Sequence, residues 1–452
     1  MVQNPCTFER KRAMSYHTKD RHTGNLFSEL LPFGGKLNTD NRWIKMHDMI
    51  PWSELESIYR KYFSSLGRPG KDSQLINGLL IVKHLMVMSD EAVVDFFFES
   101  PYVQYFCGYD QFVTGREIEA STLVRMRKRL GVEYFKKFED EILGVLKERK
   151  IIKSNELMVD ATVCPANIAY PTDTGVIESV RTWVVETIKN VRTAGKIPDK
   201  IRTYCRKAHA CFLRFQKKRK KTRKEIRKAK KQLLQFTARN IEQLKKLLRK
   251  RHVIAAGIVE KIKSRLEVAI KIYDQQKEML KGNLQTVEDR IVSFHRSHIR
   301  PMVRGKAGKD VEFGPKASIS VVDGFAFLDV FSTDAYNEGV VLDESIVLHN
   351  ERFGKNPEVV ITDKLYGNRK NRERMAKDGI RASLIPLGRK SEISKEHEAW
   401  VKKKQRKRNA IEGKIGTVKQ YYGLERLRYK NEELNIRLGL LAMNLNTALA
   451  RI

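Results

Sequence analysis

The sequence predicts an α/β protein: a mixed sheet covered by helices, an all-helical N-terminal region, and a long basic helical insertion that interrupts the sheet in the chain. Three observations lead there. Apolar residues recur at helical spacing between residues 40 and 145, through Leu75, Leu79, Val82, Leu85, Val93 and Phe97. Short β-branched runs appear at Glu156–Val163 and again beyond residue 311. Between them, from about 176 to 295, the chain is long, helical in texture and crowded with lysine and arginine.

The helical region ends in a segment for which Ser121 is the expected N-cap. It buries Leu123, Met126 and Leu130 and carries Arg125, Arg127, Lys128 and Arg129 on its other faces before Gly131 ends it. Those cations suit solvent and DNA phosphate equally well when this helix is taken alone. Next, Glu156-Leu-Met-Val-Asp160-Ala-Thr-Val reads as a buried strand with an acid inside it, which demands an explanation. In the insertion, Lys217–Lys221 and Arg227–Lys231 are the densest charge. Ile226, Leu233, Phe236, Ile241, Leu244, Leu247 and Leu248 form a seam for an antiparallel or partner helix.

Strand texture returns at Val311. Ala317–Val322 and Phe325–Phe331 are two strands joined by Asp323-Gly324, which makes Asp323 a turn residue. A helix through Glu344–Phe353 precedes Pro357–Asp363, a strand ending in an acid. A helix over Asn371–Lys377, a strand over Ile380–Ile385 and helices from Lys395 to the end complete the pattern. The expected domains are 1–145, helical and DNA-binding; 150–175, the first strand region of the catalytic domain; 176–300, the basic insertion; and 301–452, the rest of the catalytic domain.

Charge restricts the partners. Lys and Arg number 88 against 54 Asp and Glu in 452 residues, a surplus of 34 that attracts a polyanion. Membrane is excluded as that polyanion, because the longest apolar stretch, near Leu79–Met88, is short and broken by Lys83 and His84. The N-terminal residues carry no apolar signal core, so a cytoplasmic protein is expected. Five scattered cysteines, Cys6, Cys107, Cys164, Cys205 and Cys211, argue against a disulfide framework. Cys205, His209 and Cys211 read as a helix surface rather than a metal site.

Transfer of a phosphodiester requires an activated oxygen and a stabilised leaving oxygen, which two magnesium ions held by hard carboxylates supply. A mixed sheet of this order brings an acid on its first strand near one at the end of its fourth, with a third from a following helix: Asp160, Asp363 and Glu412. At about 100° per residue, Arg408, Glu412 and Lys419 fall within roughly 40° of one another. Ile411, Ile415, Val418 and Tyr422 lie beside that face and are expected to pack on the sheet. Gly413 and Gly416 weaken the helix and suggest a close approach there.

These residues resemble the DDE-type insertion-sequence transposases of the insertion sequence four and five group. Ser100–Gly108 and Ser121–Arg129 are similar to that family's N-terminal domain, Met158–Val163 to its first catalytic strand, and Val360–Arg369 to its second motif. Arg408, Glu412 and Lys419 match the last three positions of its Tyr, Arg, Glu, Lys signature, while Gln405 stands where the family has Tyr. The resemblance implies a ribonuclease-H-like catalytic domain. It implies catalytic and metal-binding roles for Asp160, Asp363 and Glu412 with Mg2+, two ions, Mn2+ able to substitute. DNA contact is expected from Arg408, Lys419, Arg125, Lys128 and Arg129. The implied substrates are double-stranded DNA, the element's terminal inverted repeats and target DNA, cut and joined by a homodimer assembled on DNA. A nuclease of the same fold, or an inactive DNA-binding derivative, would share the basic surface. The first would not join ends, and the second would lose a carboxylate.

Overall fold

A computed structural model describes residues 14–15, 32–115, 118–198, 201–249, 256–306, 309–384 and 395–452. The chain divides into two units, one of residues 1–165, 316–332 and 336–452, the other of residues 166–315 and 333–335.

The first unit begins with helices α1 (Arg42–His47), α2 (Trp52–Arg60), α3 (Ser73–Leu85), α4 (Asp90–Glu99), α5 (Pro101–Phe106) and α6 (Ala120–Glu148). Polar caps set several starts: Asp72 accepts from the Leu75 amide, Ser89 from Ala92 and Ser100 from Val103. The α6 start differs from expectation. Ser121 lies inside the helix, its hydroxyl donating to the Glu119 carboxylate at 3.2 Å, because Ala120 already has helical geometry. Gly131 breaks the helix as expected, at φ 70°, but a second helical stretch follows directly and runs to Glu148.

Strand β1 (Glu156–Val163) comes next, and after the second unit the chain returns with β2 (Lys316–Val322), β3 (Phe325–Ser332), β4 (Val359–Ile361) and β5 (Arg381–Ala382). The sheet order is β3-β2-β1-β4-β5, with β1, β2 and β3 antiparallel in turn and β4 and β5 parallel to β1. The turn at Asp323 (φ 48°) and Gly324 (φ 81°) has positive φ at both central residues, as a tight hairpin needs. The last strand is shorter than the expected Ile380–Ile385, and Ile385 lies outside the described residues.

Two apolar layers cover the sheet. Leu157, Val159, Val322, Phe325 and Phe327 share a core with the N-terminal helices, α11 (Leu342–Phe353) and α12 (Arg369–Lys377). On the opposite face Ile319, Val321, Ala326 and Leu328 meet α14 (Asn409–Tyr421) and α15 (Glu432–Leu449). Between α12 and α14 lies α13 (Lys395–Lys407). Strand β3 is an edge. Asn444 of α15 covers it, accepting from the Ala326 amide at 2.9 Å and donating to its carbonyl at 2.8 Å.

One buried network joins the helical region to the segment before α15. Asp90 accepts two bonds from Arg127 (2.8 and 2.6 Å) and one from Lys83 (2.6 Å), and Arg127 stacks on Tyr429 at 4.1 Å. His84 lies beside them, its Nδ1 3.1 Å from the Tyr422 carbonyl and its Nε2 3.1 Å from the Tyr429 hydroxyl. Arg127 therefore belongs to the core, not to the basic face assigned to it.

The second unit holds α7 (Asp173–Ala194), α8 (Cys205–Gln216), α9 (Arg223–Arg249), α10 (Ala256–Gly282) and a two-stranded hairpin, Pro301–Lys306 with Lys309–Phe313. Ile241, Leu244, Leu247 and Leu248 of α9 are buried against α7 and α10, forming the expected seam within the chain. Ile226 remains 38% exposed. Asp173 at the start of α7 holds Lys230 (3.0 Å) and Arg290 (2.8 Å). No helix among the described residues is long and apolar enough to cross a membrane.

Candidate active site

The register of two neighbouring strands builds the site. In the parallel pair β1 and β4, Met158 stands opposite Ile361. Two residues further along each chain come Asp160, still within β1, and Asp363, two residues beyond the end of β4; both acids therefore stand toward the same end of the sheet, with Asp160 on the face of Met158. Parallel neighbours lie about 4.8 Å apart. That face is the one α14 covers, since Met158, two residues before Asp160, contacts the core that Ile411, Ile415 and Val418 enter from α14. All three, with Tyr422, are buried as their spacing predicts, and they leave Glu412 facing outward.

Arg408 gathers two of the acids. Its guanidinium is 3.1 Å from Glu412, one turn on, and 3.8 Å from Asp363. The side chains of Asp363 and Glu412 are 42% and 54% exposed, open to a ligand from solvent. Asp160 is more enclosed. Burial pushes its carboxyl above the ordinary range, opposed by the Ala161 amide and Arg408 and reinforced by the charges of Glu338 and Glu412. Asp160 thus lies within the electrostatic reach of Arg408 and Glu412, although among the described residues no three acids, histidines or cysteines form a ready-made metal cage.

Four side chains fix α13 and α14, which flank Arg408 and of which α14 carries Glu412. Lys404 and Lys407 of α13 pair with Glu156 at the start of β1. Gln405 donates to the Thr362 carbonyl and the Ser383 hydroxyl, each at 3.1 Å, tying α13 to the ends of β4 and β5. Lys419 donates to the Thr162 hydroxyl and the Val163 carbonyl at 2.7 Å, clamping the end of α14 onto the strand of Asp160.

The other residues selected for DNA contact are dispersed. Arg125 is exposed and donates to the Thr122 hydroxyl, and Lys128 is exposed. Arg129 is half-buried over the Phe63 ring and donates toward the Tyr62 carbonyl. A Cβ added at Gly413 or Gly416 would meet nothing within 4 Å, so nothing among the described residues makes the close approach inferred there. His209 lies 3.0 Å from Glu178 rather than joining Cys205 and Cys211 in a cluster.

Two features escaped the sequence reading. Glu338, in a short turn after β3, faces Asp160 electrostatically while paired with Lys316 at 2.9 Å. The Tyr366 hydroxyl, three residues past Asp363, is buried without a hydrogen-bond partner. Its proton is held more tightly than usual, by burial first and then by the negative charges of Glu338 and Asp160. A water would accept from that hydroxyl, and a cation would relieve the repulsion among the carboxylates, whose oxygens suit a hard divalent ion.

Two family models match parts of the chain. A transposase domain (DUF772) matches residues 32–129, and a transposase DDE domain matches residues 360–446, a span that includes Asp363, Gln405, Arg408 and Glu412. An uncharacterized protein, ORF8 in the nfe locus of Rhizobium meliloti, is 34% identical over 143 residues, 30% of this chain and 68% of the relative. The chain belongs to the DDE transposase family. No solved structure matches it. DNA is the partner that membership implies for the transposase, and its family uses divalent metals.

Proposed function

We propose that this transposase binds the terminal inverted repeats of its element and cuts and joins DNA through Asp160, Asp363 and Glu412. The reading rests on the parallel register of β1 and β4, whose last pair, Met158 and Ile361, stands two residues before Asp160 and Asp363. The strand order and directions support a ribonuclease-H-like catalytic domain, in which acids at this sheet end serve phosphoryl chemistry.

The three carboxylates would hold magnesium, two ions, with manganese able to replace it, supplying activation of the attacking oxygen and stabilisation of the leaving one. The protein's own groups prepare that site. Gln405 and Lys419 fix the strand ends and helix, and Tyr366 has a buried hydroxyl within electrostatic reach of Asp160 and Asp363. Arg408 is the cation placed to meet a scissile phosphate, exchanging its carboxylate partners for phosphate oxygens. Residues 1–145 would recognise the element ends, with Arg125 and Lys128 the exposed cations of α6, and residues 176–300 would hold DNA or a second subunit in a dimer assembled on DNA in the cytoplasm.

Incubation of the purified protein with its element ends and magnesium, followed by sizing of products, tests this. Strand cuts at the ends and joined products are expected. Cuts without joining would make the protein a nuclease, and neither product would refute the enzymatic reading.

A further inference from the structure

Positive charge is distributed unevenly along the chain. Residues 166–315 contain 38 Lys and Arg against 14 Asp and Glu, which is 24 of the total surplus of 34. Within the unit they build, Arg227 and Lys231 of α9 face Lys277 and Lys281 of α10 across an open cleft of about 520 Å3 floored by Leu234, Ala238, Tyr273 and Leu280. Among the described residues no acid lines this cleft; Asp274 and Glu278 line the adjoining one. All four cations are exposed, and among the described residues none is paired with a carboxylate. Arg227 has only a 3.5 Å contact to Asn283.

We propose that this cleft is a binding site for the sugar-phosphate backbone of duplex DNA, resting on the reading that DNA is the substrate. Four like charges held on facing walls repel one another until an anion enters, and an extended polyanion neutralises all four at once. Spacing supports the backbone over an isolated anion: Lys224, Arg227, Lys228 and Lys231 continue the charged strip along α9 at helical intervals. Lys277 favours duplex over unpaired bases, because its ammonium stands 5.7 Å from the centre of the Tyr273 ring and takes the face on which a base would stack. An acidic protein helix would need more apolar anchorage than Leu234, Ala238, Tyr273 and Leu280 provide, since Leu234 is itself buried. The contact is independent of sequence: it reads phosphate, not bases.

The test uses the full-length protein carrying Arg227→Gln, Lys231→Gln, Lys277→Gln and Lys281→Gln together, with folding checked by circular dichroism. Binding to a random duplex is measured across salt concentrations. Each lost phosphate contact removes about 0.9 from the slope of log affinity against log salt, so the slope should flatten by about 3 to 4 and affinity at low salt should fall at least about ten-fold. Arg227→Lys alone should leave the slope unchanged. Wild-type protein that failed to bind duplex at all would sink the reading of DNA as substrate. Wild-type binding with an unaltered slope in the fourfold variant would sink the cleft alone. Loss of polyglutamate binding with duplex binding intact would reassign the cleft to an acidic protein partner and overturn the proposal.

Discussion

Gln405 donates its side-chain amide to the carbonyl of Thr362 at 3.1 Å, and the residue after Thr362 is Asp363. The same amide reaches the Ser383 hydroxyl, so one side chain of α13 holds two strand ends one turn before Arg408. Gln405→Glu keeps the shape and removes the donor. Each lost hydrogen bond costs about 1 kcal/mol, and a modest displacement of Asp363 can cost on the order of 10²-fold in rate. We therefore predict a small drop in unfolding midpoint with a disproportionate loss of cleavage. Equal small losses in both would show Gln405 to be structural filler.

The Asp90 network should make the first unit acid-sensitive. Burial pushes Asp90 upward, but the hydrogen bonds from Arg127 and Lys83 outweigh it and hold the carboxyl below its usual range. A depressed carboxyl stabilises the fold above its unfolded value and loses that contribution as pH falls through its folded value. Asp90→Asn leaves two buried cations unmatched, and urea unfolding should show about 3–5 kcal/mol lost at neutral pH.

His84 adds a separate window. Burial lowers it from 6.5 to about 4, and the neutral ring fits both its neighbours, donating to the Tyr422 carbonyl and accepting from Tyr429. Its folded value is depressed, so its contribution is complete above pH 6.5 and declines from there down to about 4, by about 3 kcal/mol in all. His84→Gln should be less stable than the parent at pH 7.5 and show a flatter decline between pH 6.5 and 4. Parallel curves for the two proteins would contradict the assignment.

Gly413 and Gly416 face open space on the exposed side of the helix that carries Glu412. Alanine at either position should stabilise the free protein by up to about 1 kcal/mol. If DNA occupies that space, the same substitutions should weaken binding to element ends, measurable by titration. Stabilisation with unchanged affinity would place the DNA elsewhere.

The sequence made legible those features that obey a local period. Asp160 and Asp363 stood out as acids in apolar β-branched runs, and Glu412 because Ile411, Ile415 and Val418 define its helix face. Arg127 was misread because its partner Asp90 lies 37 residues away, which no helical period reports. Glu338 follows an irregular link, and Gln405 acts through the Thr362 carbonyl and the Ser383 hydroxyl, 43 and 22 residues distant, so neither leaves a pattern in its own segment.

The hairpin acid provides an internal contrast for the site. Asp323 binds the Lys153 amide and Arg451, each at 3.0 Å, and heads a tight turn that Asn-Gly also suits. Asp323→Asn should cost no more than about 1 kcal/mol, the worth of a half-exposed ion pair, and leave cleavage unchanged.

The central claim is tested most directly by the rate at which Glu412→Gln cuts element ends in magnesium, beside Asp160→Asn, Asp363→Asn and Asp323→Asn in one assay. The account predicts that the first three bind DNA as well as the parent or better, since each removes a negative charge near phosphate. Their cleavage should fall by more than the roughly 10–100-fold typical of losing an outer-shell partner of a metal, while Asp323→Asn cuts normally. Cleavage by Glu412→Gln at the parental rate, or loss of cleavage in Asp323→Asn with Asp160→Asn active, would contradict it.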